Sequence, residues 1–163
     1  MMKDAIETAI KMETDAMAFY REAANKTNHP FGKEMFKGFI KDETRHLKML
    51  QDIFKGIDAD IKLVRPKDSI KTVFSELKGE MMQRVEVLDS ELEAVNIALK
   101  FEKEGFDFYK NAAATAGTPK EKELFEKLSL EENDHYTILL ETSKFLDNTG
   151  QWYMYEERGI LEG

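Results

Sequence analysis

Two Glu-x-x-His steps, Glu43/His46 and Glu132/His135, and two further glutamates, Glu13 and Glu102, are the residues of this chain best suited to chemistry. Glu-x-x-His alone is a common helical pair. Here every member of one set has a counterpart 89 positions along: 13 with 102, 43 with 132, 46 with 135. The i, i+3 spacing places the Glu and His of each step on one helix face, where both can reach the same point. Four carboxylates gathered in an interior repel one another, and an unpaired buried carboxylate is strongly unfavourable. With two neutral imidazoles the six groups sum to a charge of −4, which two divalent cations would cancel. A mixed carboxylate and imidazole set suits iron or manganese, and zinc would also fit.

The elements that must position these groups read as one helical hairpin written twice. The first helix is expected from about Lys3 to Asn25, with an apolar stripe at Ile6, Ile10, Met17 and Tyr20. A loop, Thr27-Asn28-His29-Pro30, leads to a second helix whose stripe runs Phe36, Phe39, Leu47, Leu50 and Phe54 and which stops near Gly56. The third begins near Ser90, where Ser90 and Glu93 have capping-box spacing, and ends at Gly117. Thr118-Pro119-Lys120-Glu121 is a second capping box. It opens a fourth helix through Leu124, Leu128, Leu139 and Leu146, with Gly150 beyond. All six candidate residues fall where these stripes otherwise demand hydrophobes, so all six are expected to face the interior. The stretch from Gly56 to Asp89 is too long for a tight turn, and a short extra helix is expected within it over Asp68–Met82. Two antiparallel pairs joined by one long crossover form the connectivity of a ferritin-like bundle.

Composition narrows the function classes. The 163 residues suit one all-α domain with a real core, with 42% hydrophobic and 34% charged residues and only 3 prolines. The absence of cysteine excludes disulfides, iron–sulfur clusters and a thiol nucleophile. A net charge of −8 speaks against a nucleic-acid surface. No signal-like region follows Met1, and no run approaches a membrane span, so a cytoplasmic location is expected.

A Glu from each of two helices with a Glu-x-x-His from each of the other two is the ligand pattern of di-iron carboxylate bundles. At these residues the chain resembles the rubrerythrin and ferritin-like superfamily across essentially all four helices. Met12-Glu13-Thr14-Asp15-Ala16-Met17-Ala18-Phe19-Tyr20 looks like the rubrerythrin first-helix motif, and Phe101-Glu102 through Phe108-Tyr109 repeats it. The resemblance implies two iron ions: Glu13 and His46 would serve one, Glu102 and His135 the other, with Glu43 and Glu132 bridging. It also implies an oxidoreductase that reduces hydrogen peroxide or dioxygen with electrons from a separate donor protein, assembled as a homo-oligomer, with a dimer favoured. Two departures stand out. Peroxide-reducing rubrerythrins usually carry another glutamate three residues after the third-helix ligand, where this chain has Gly105. They also usually carry a four-cysteine rubredoxin domain. The six-ligand set is closer to that of bacterioferritin, although Thr44 stands where bacterioferritin has its haem-ligating methionine. A ferroxidase linked to iron storage, or a metal-binding bundle without turnover, are the rival readings.

Tyr20 and Tyr109 each lie seven residues after a candidate glutamate. Core packing with the hydroxyl bonded to a polar group is the expectation, a hydrogen bond to a ligand carboxylate or a redox-active phenol the alternative. His29 reads as a surface loop residue. Residues 1–150 are expected to form the bundle. Residues 151–163, with Trp152, Tyr153 and Tyr155, are expected to form a tail that packs on it or on a partner subunit.

Overall fold

The computed structural model describes residues 2–82 and 85–153. Five helices follow in order: α1 (Met2–Lys26), α2 (Pro30–Phe54), α3 (Pro66–Glu76), α4 (Asp89–Ala114) and α5 (Pro119–Thr149). α1 packs along α2 and α4 along α5, and the long connection carrying α3 joins the two hairpins. The fold is the expected all-α, ferritin-like bundle. No helix among the described residues is long and apolar enough to cross a membrane.

The hairpin turns are built alike. At the start of α2, His29 is extended and its Nδ1 accepts the Phe31 N–H at 3.0 Å, with Pro30 in the first turn. At the equivalent place in α5, Thr118 is extended and its Oγ1 accepts the Glu121 N–H at 3.2 Å, with Pro119 following. A side-chain acceptor there satisfies an N–H that the helix cannot, a contribution of about 1 kcal/mol. α5 ends at Gly150, whose φ of 69° is the left-handed value that glycine adopts without strain.

The core is divided along its length. Tyr20, Phe31, Phe36, Phe39, Val95, Ile138 and Leu146 form one apolar cluster. Ile6, Met49, Leu50, Tyr109, Leu124 and Leu128 form the other. On each of α1, α2, α4 and α5 the candidate Glu or Glu-x-x-His falls between residues of the two clusters. Apolar packing therefore seals the polar belt above and below.

Local expectations needed three corrections. α4 begins at Asp89, and the side chain that folds back to its start belongs to Glu91 rather than Glu93. Glu91 accepts the Leu88 N–H at 2.9 Å, the Asn28 N–H at 3.0 Å and the Thr27 hydroxyl. It is buried because it ties the α1–α2 turn to α4, a demand the local pattern does not contain. The crossover helix is α3 over Pro66–Glu76, shorter than Asp68–Met82, because the chain turns after Glu76 through Gly79. His29 is wholly buried, not on the surface.

The chain beyond α5 is what buries His29. The Trp152 N–H donates to the Val85 carbonyl at 2.8 Å and the Val87 N–H to the Gly150 carbonyl at 3.0 Å, so the segment is stitched to the residues leading into α4. Trp152 stacks on His29 at 5.3 Å between ring centroids, and Tyr153 lies 4.3 Å from Phe145 by the same measure. Burial pushes the His29 imidazole down to about 4, which keeps it the neutral acceptor its capping role needs. Gly32 permits this closure: a Cβ there would lie 2.7 Å from the Trp152 ring. Trp152 and Tyr153 thus cover one end of the bundle, while the rest of the expected tail, 154–163 with Tyr155, lies outside the described residues. Trp152→Ala is expected to destabilise the fold by about 3–5 kcal/mol, read as a lower midpoint in urea unfolding followed by circular dichroism.

Candidate metal centre

The six candidate residues converge. Glu13 comes from α1, Glu43 and His46 from α2, Glu102 from α4, and Glu132 and His135 from α5; each is at most 4% exposed. Two four-residue groups each bring one donor atom per residue within 4.8 Å of the others: Glu13, Glu43, His46 and Glu132 in one, Glu43, Glu102, Glu132 and His135 in the other. Glu43 and Glu132 belong to both groups. Every residue singled out from sequence is therefore brought together here, and none is left outside.

Each imidazole is aimed by a residue of the opposite hairpin. The Nε2 of His46 lies 3.0 Å from Glu131 Oε1, and the Nε2 of His135 lies 2.8 Å from Asp42 Oδ2. Glu131 also accepts hydrogen bonds from both Arg45 Nη atoms and from the Val64 N–H. Burial opposes its ionisation, but the His46 and Arg45 contacts prevail and hold it below the usual carboxylate range. An ionised Glu131 can only accept, so Nε2 of His46 carries the proton. Nδ1 is then the inward atom, 3.1 Å from Glu43 and 3.3 Å from Glu132. The Nδ1 of His135 faces Glu43 and Glu102 in the same way, at 3.3 Å from each. Orienting acids of this kind fix both the tautomer and the ring of a metal-binding histidine.

Asp42 and Glu131 were not singled out from sequence. The signal was available, since each directly precedes the glutamate of a Glu-x-x-His step and the two are again 89 apart.

The tyrosines show the same exchange. Tyr109 on α4 donates to Glu13 on α1 at 2.5 Å, and Tyr20 on α1 donates to Glu102 on α4. Both rings pack in the core with the hydroxyl bonded to a polar group, as expected, and the acceptor is a candidate carboxylate across the bundle rather than along one helix. Burial, reinforced by neighbouring carboxylates, raises both phenols well above their usual range, so both remain donors. Each bond occupies one oxygen of its glutamate and leaves the other for the centre of the site.

Those remaining atoms test the site against a metal pair. Glu13 Oε2, Glu43 Oε1, Glu102 Oε2 and His135 Nδ1 are buried and make no hydrogen bond. Buried polar atoms are nearly always satisfied, and four unsatisfied donors facing one another match what cations would complete. The residues therefore fit a pair of divalent ions. Without cations, protons meet the excess negative charge. Burial and the charge of Glu132 raise Glu102, while His46 and His135 are raised because their carboxylate neighbours outweigh the opposing effect of burial.

A hairpin-repeat bundle with a buried belt of four glutamates and two histidines, each imidazole held by an acid from the facing hairpin, defines a helical protein with a carboxylate-rich cluster able to hold metal ions. The family model described as Rubrerythrin matches residues 4–143, and the chain belongs to that family. No curated protein and no solved structure matches it.

Because His46, His135 and Glu102 hold protons more tightly than usual, a metal must displace them to bind. Divalent-metal affinity is expected to rise with pH through neutrality, with net proton release. Titration calorimetry in buffers of different ionisation enthalpy measures that release directly.

Proposed function

We propose that the chain is a non-haem di-iron oxidoreductase of the rubrerythrin kind, reducing hydrogen peroxide, or dioxygen, with electrons from an external donor protein. Glu13, Glu43, His46, Glu102, Glu132 and His135 are its metal ligands. The observation that carries this reading is the convergence of four unsatisfied donor atoms between two apolar clusters. Membership of Glu43 and Glu132 in both groups supports their bridging the two ions, with Glu13 and His46 on one side and Glu102 and His135 on the other. Ferrous iron held there would supply the two electrons that the oxidant takes up.

The chain's own contribution is placement. Tyr20 and Tyr109 fix the carboxylate planes of Glu102 and Glu13. Asp42 and Glu131 hold the imidazoles so that neither ring can turn away. Phe39 lies against the His135 ring at 4.2 Å between centroids and helps exclude water from that side. Ligands fixed in this way need no reorganisation when charge changes at the site.

Gly105 favours a second reading. A Cβ there would lie 3.6 Å from Glu132 Cγ, so the position borders the site directly yet offers no ligand. Six protein ligands without a seventh suit a ferroxidase, in which oxidised iron leaves and more ferrous iron enters. Anaerobic loading with ferrous iron followed by rapid mixing separates the two. The oxidoreductase is expected to oxidise much faster with peroxide than with oxygen, whereas a comparable or faster reaction with oxygen would identify a ferroxidase. Glu43→Ala and Glu132→Ala are each expected to abolish the paired centre and reduce peroxide turnover at least about a hundredfold. Metal analysis showing two bound ions with full activity in either variant would remove the bridging assignment.

A further inference from the structure

The same centre has an opening between α1 and α4, and its lining is unusual. A cavity of about 130 Å³ lies there, and every residue lining it has its partner, 89 positions away, lining it too. Outside the glutamates already described these pairs are Met12 with Phe101, Asp15 with Glu104, and Ala16 with Gly105. The cavity therefore lies on the axis relating the two hairpins, with the two metal groups disposed equally about it.

Three features of the passage bear on what uses it. Its ionisable lining residues are all acidic, with no lysine, arginine or histidine among them. They are graded by depth: Asp15 and Glu104 are exposed, whereas Glu13, Glu43, Glu102 and Glu132 are buried. Three of those buried residues carry an oxygen without a hydrogen-bond partner, namely Glu13, Glu43 and Glu102. Ala16 and Gly105, which carry almost no side chain, also line the passage. Asp15 also pairs with the exposed Lys11 at 2.8 Å, a surface pair held weakly enough that an incoming cation can displace the ammonium. The cleft between α2 and α3 differs, since Lys37 and Lys41 stand among its acids.

We propose that divalent cations reach the paired-metal site through the α1–α4 opening, drawn in by Asp15 and Glu104 and admitted because Ala16 and Gly105 leave the passage clear. This rests on the reading of the six residues as metal ligands. A low-dielectric channel walled by charges of one sign concentrates counter-ions and raises their rate of entry, an effect that salt weakens. The cavity has room for an ion with several of its waters, at about 30 Å³ each. The final exchange of water for carboxylate oxygen then takes place on the unpartnered atoms at its floor. On this view Gly105 is a specificity determinant for loading.

The test follows Co(II) association with metal-free full-length protein by stopped-flow visible absorption, alongside equilibrium stoichiometry. The double variant Asp15→Asn/Glu104→Gln is expected to load about tenfold more slowly at low salt, with a flatter dependence on salt, and still to bind two Co(II) per chain. Both substitutions are on exposed helix surface, so folding is preserved. Gly105→Leu is expected to slow loading at every salt concentration. The control Glu34→Gln/Glu76→Gln, at the α2–α3 cleft, is expected to load as the parent does. Unchanged loading of the Asp15/Glu104 variant, or equal slowing in the control, overturns the route. If the parent chain binds no Co(II), the metal-centre reading falls and the route with it; two ions bound at an unchanged rate remove the route alone.

Discussion

Four carboxylates sharing the middle of a helical bundle are the constraint on which the rest of this structure depends. No apolar packing compensates for them, so each must be positioned, partly satisfied and finally neutralised. The two tyrosines satisfy one oxygen each of Glu13 and Glu102. The apolar clusters above and below keep bulk water from the belt on those sides, which strengthens the charge interactions within it. What is left over is a set of donor atoms directed at one another, an arrangement that protons stabilise imperfectly and that two divalent ions would stabilise well.

The repeat accounts for most of the polar architecture. Candidate ligands, tyrosines and the acids that hold the histidines all recur at the same offset. The departures from symmetry lie in the layer outside them. The repeat partner of Arg45 is Asp134, so one hairpin offers a cation where the other offers an anion. Arg45 reaches Glu131 and also lies 3.5 Å from Asp42. Asp134 is paired instead with Arg65, by two bonds of 2.8 Å. Val64 and Arg65 belong to the segment that joins the hairpins, so the crossover compensates for the difference between the two halves.

The helices and the buried convergence of the six candidate residues were legible in the sequence because both are periodic. Apolar stripes at 3–4 spacing and polar residues interrupting them at one offset are local signals, and burial followed from them. His29 was misread because its burial is not local: it is imposed by Trp152, which reaches it only when the end of the chain folds back over the first turn. Glu91 was passed over for Glu93 on similar grounds, since its partners Thr27 and Asn28 belong to a distant loop. Asp42 and Glu131 were legible in principle. They resemble the many surface acids of a chain with 32 acidic residues, and only the orientation of the imidazoles distinguishes them.

The exchange of partners between hairpins has a consequence for how such a protein arises. The tyrosine of each hairpin bonds the glutamate of the other, and the acid of each holds the other's histidine. A solitary hairpin thus owns half the candidate ligands but neither the tyrosine nor the acid that orients them. Two identical copies, related by a twofold axis, would supply each other with everything required. The chain has the form expected of such a self-complementary dimer whose two halves became covalently joined. Once joined they could diverge, and an arginine at position 45 with an aspartate at the equivalent position 134 is a difference that no symmetric ancestor could have held.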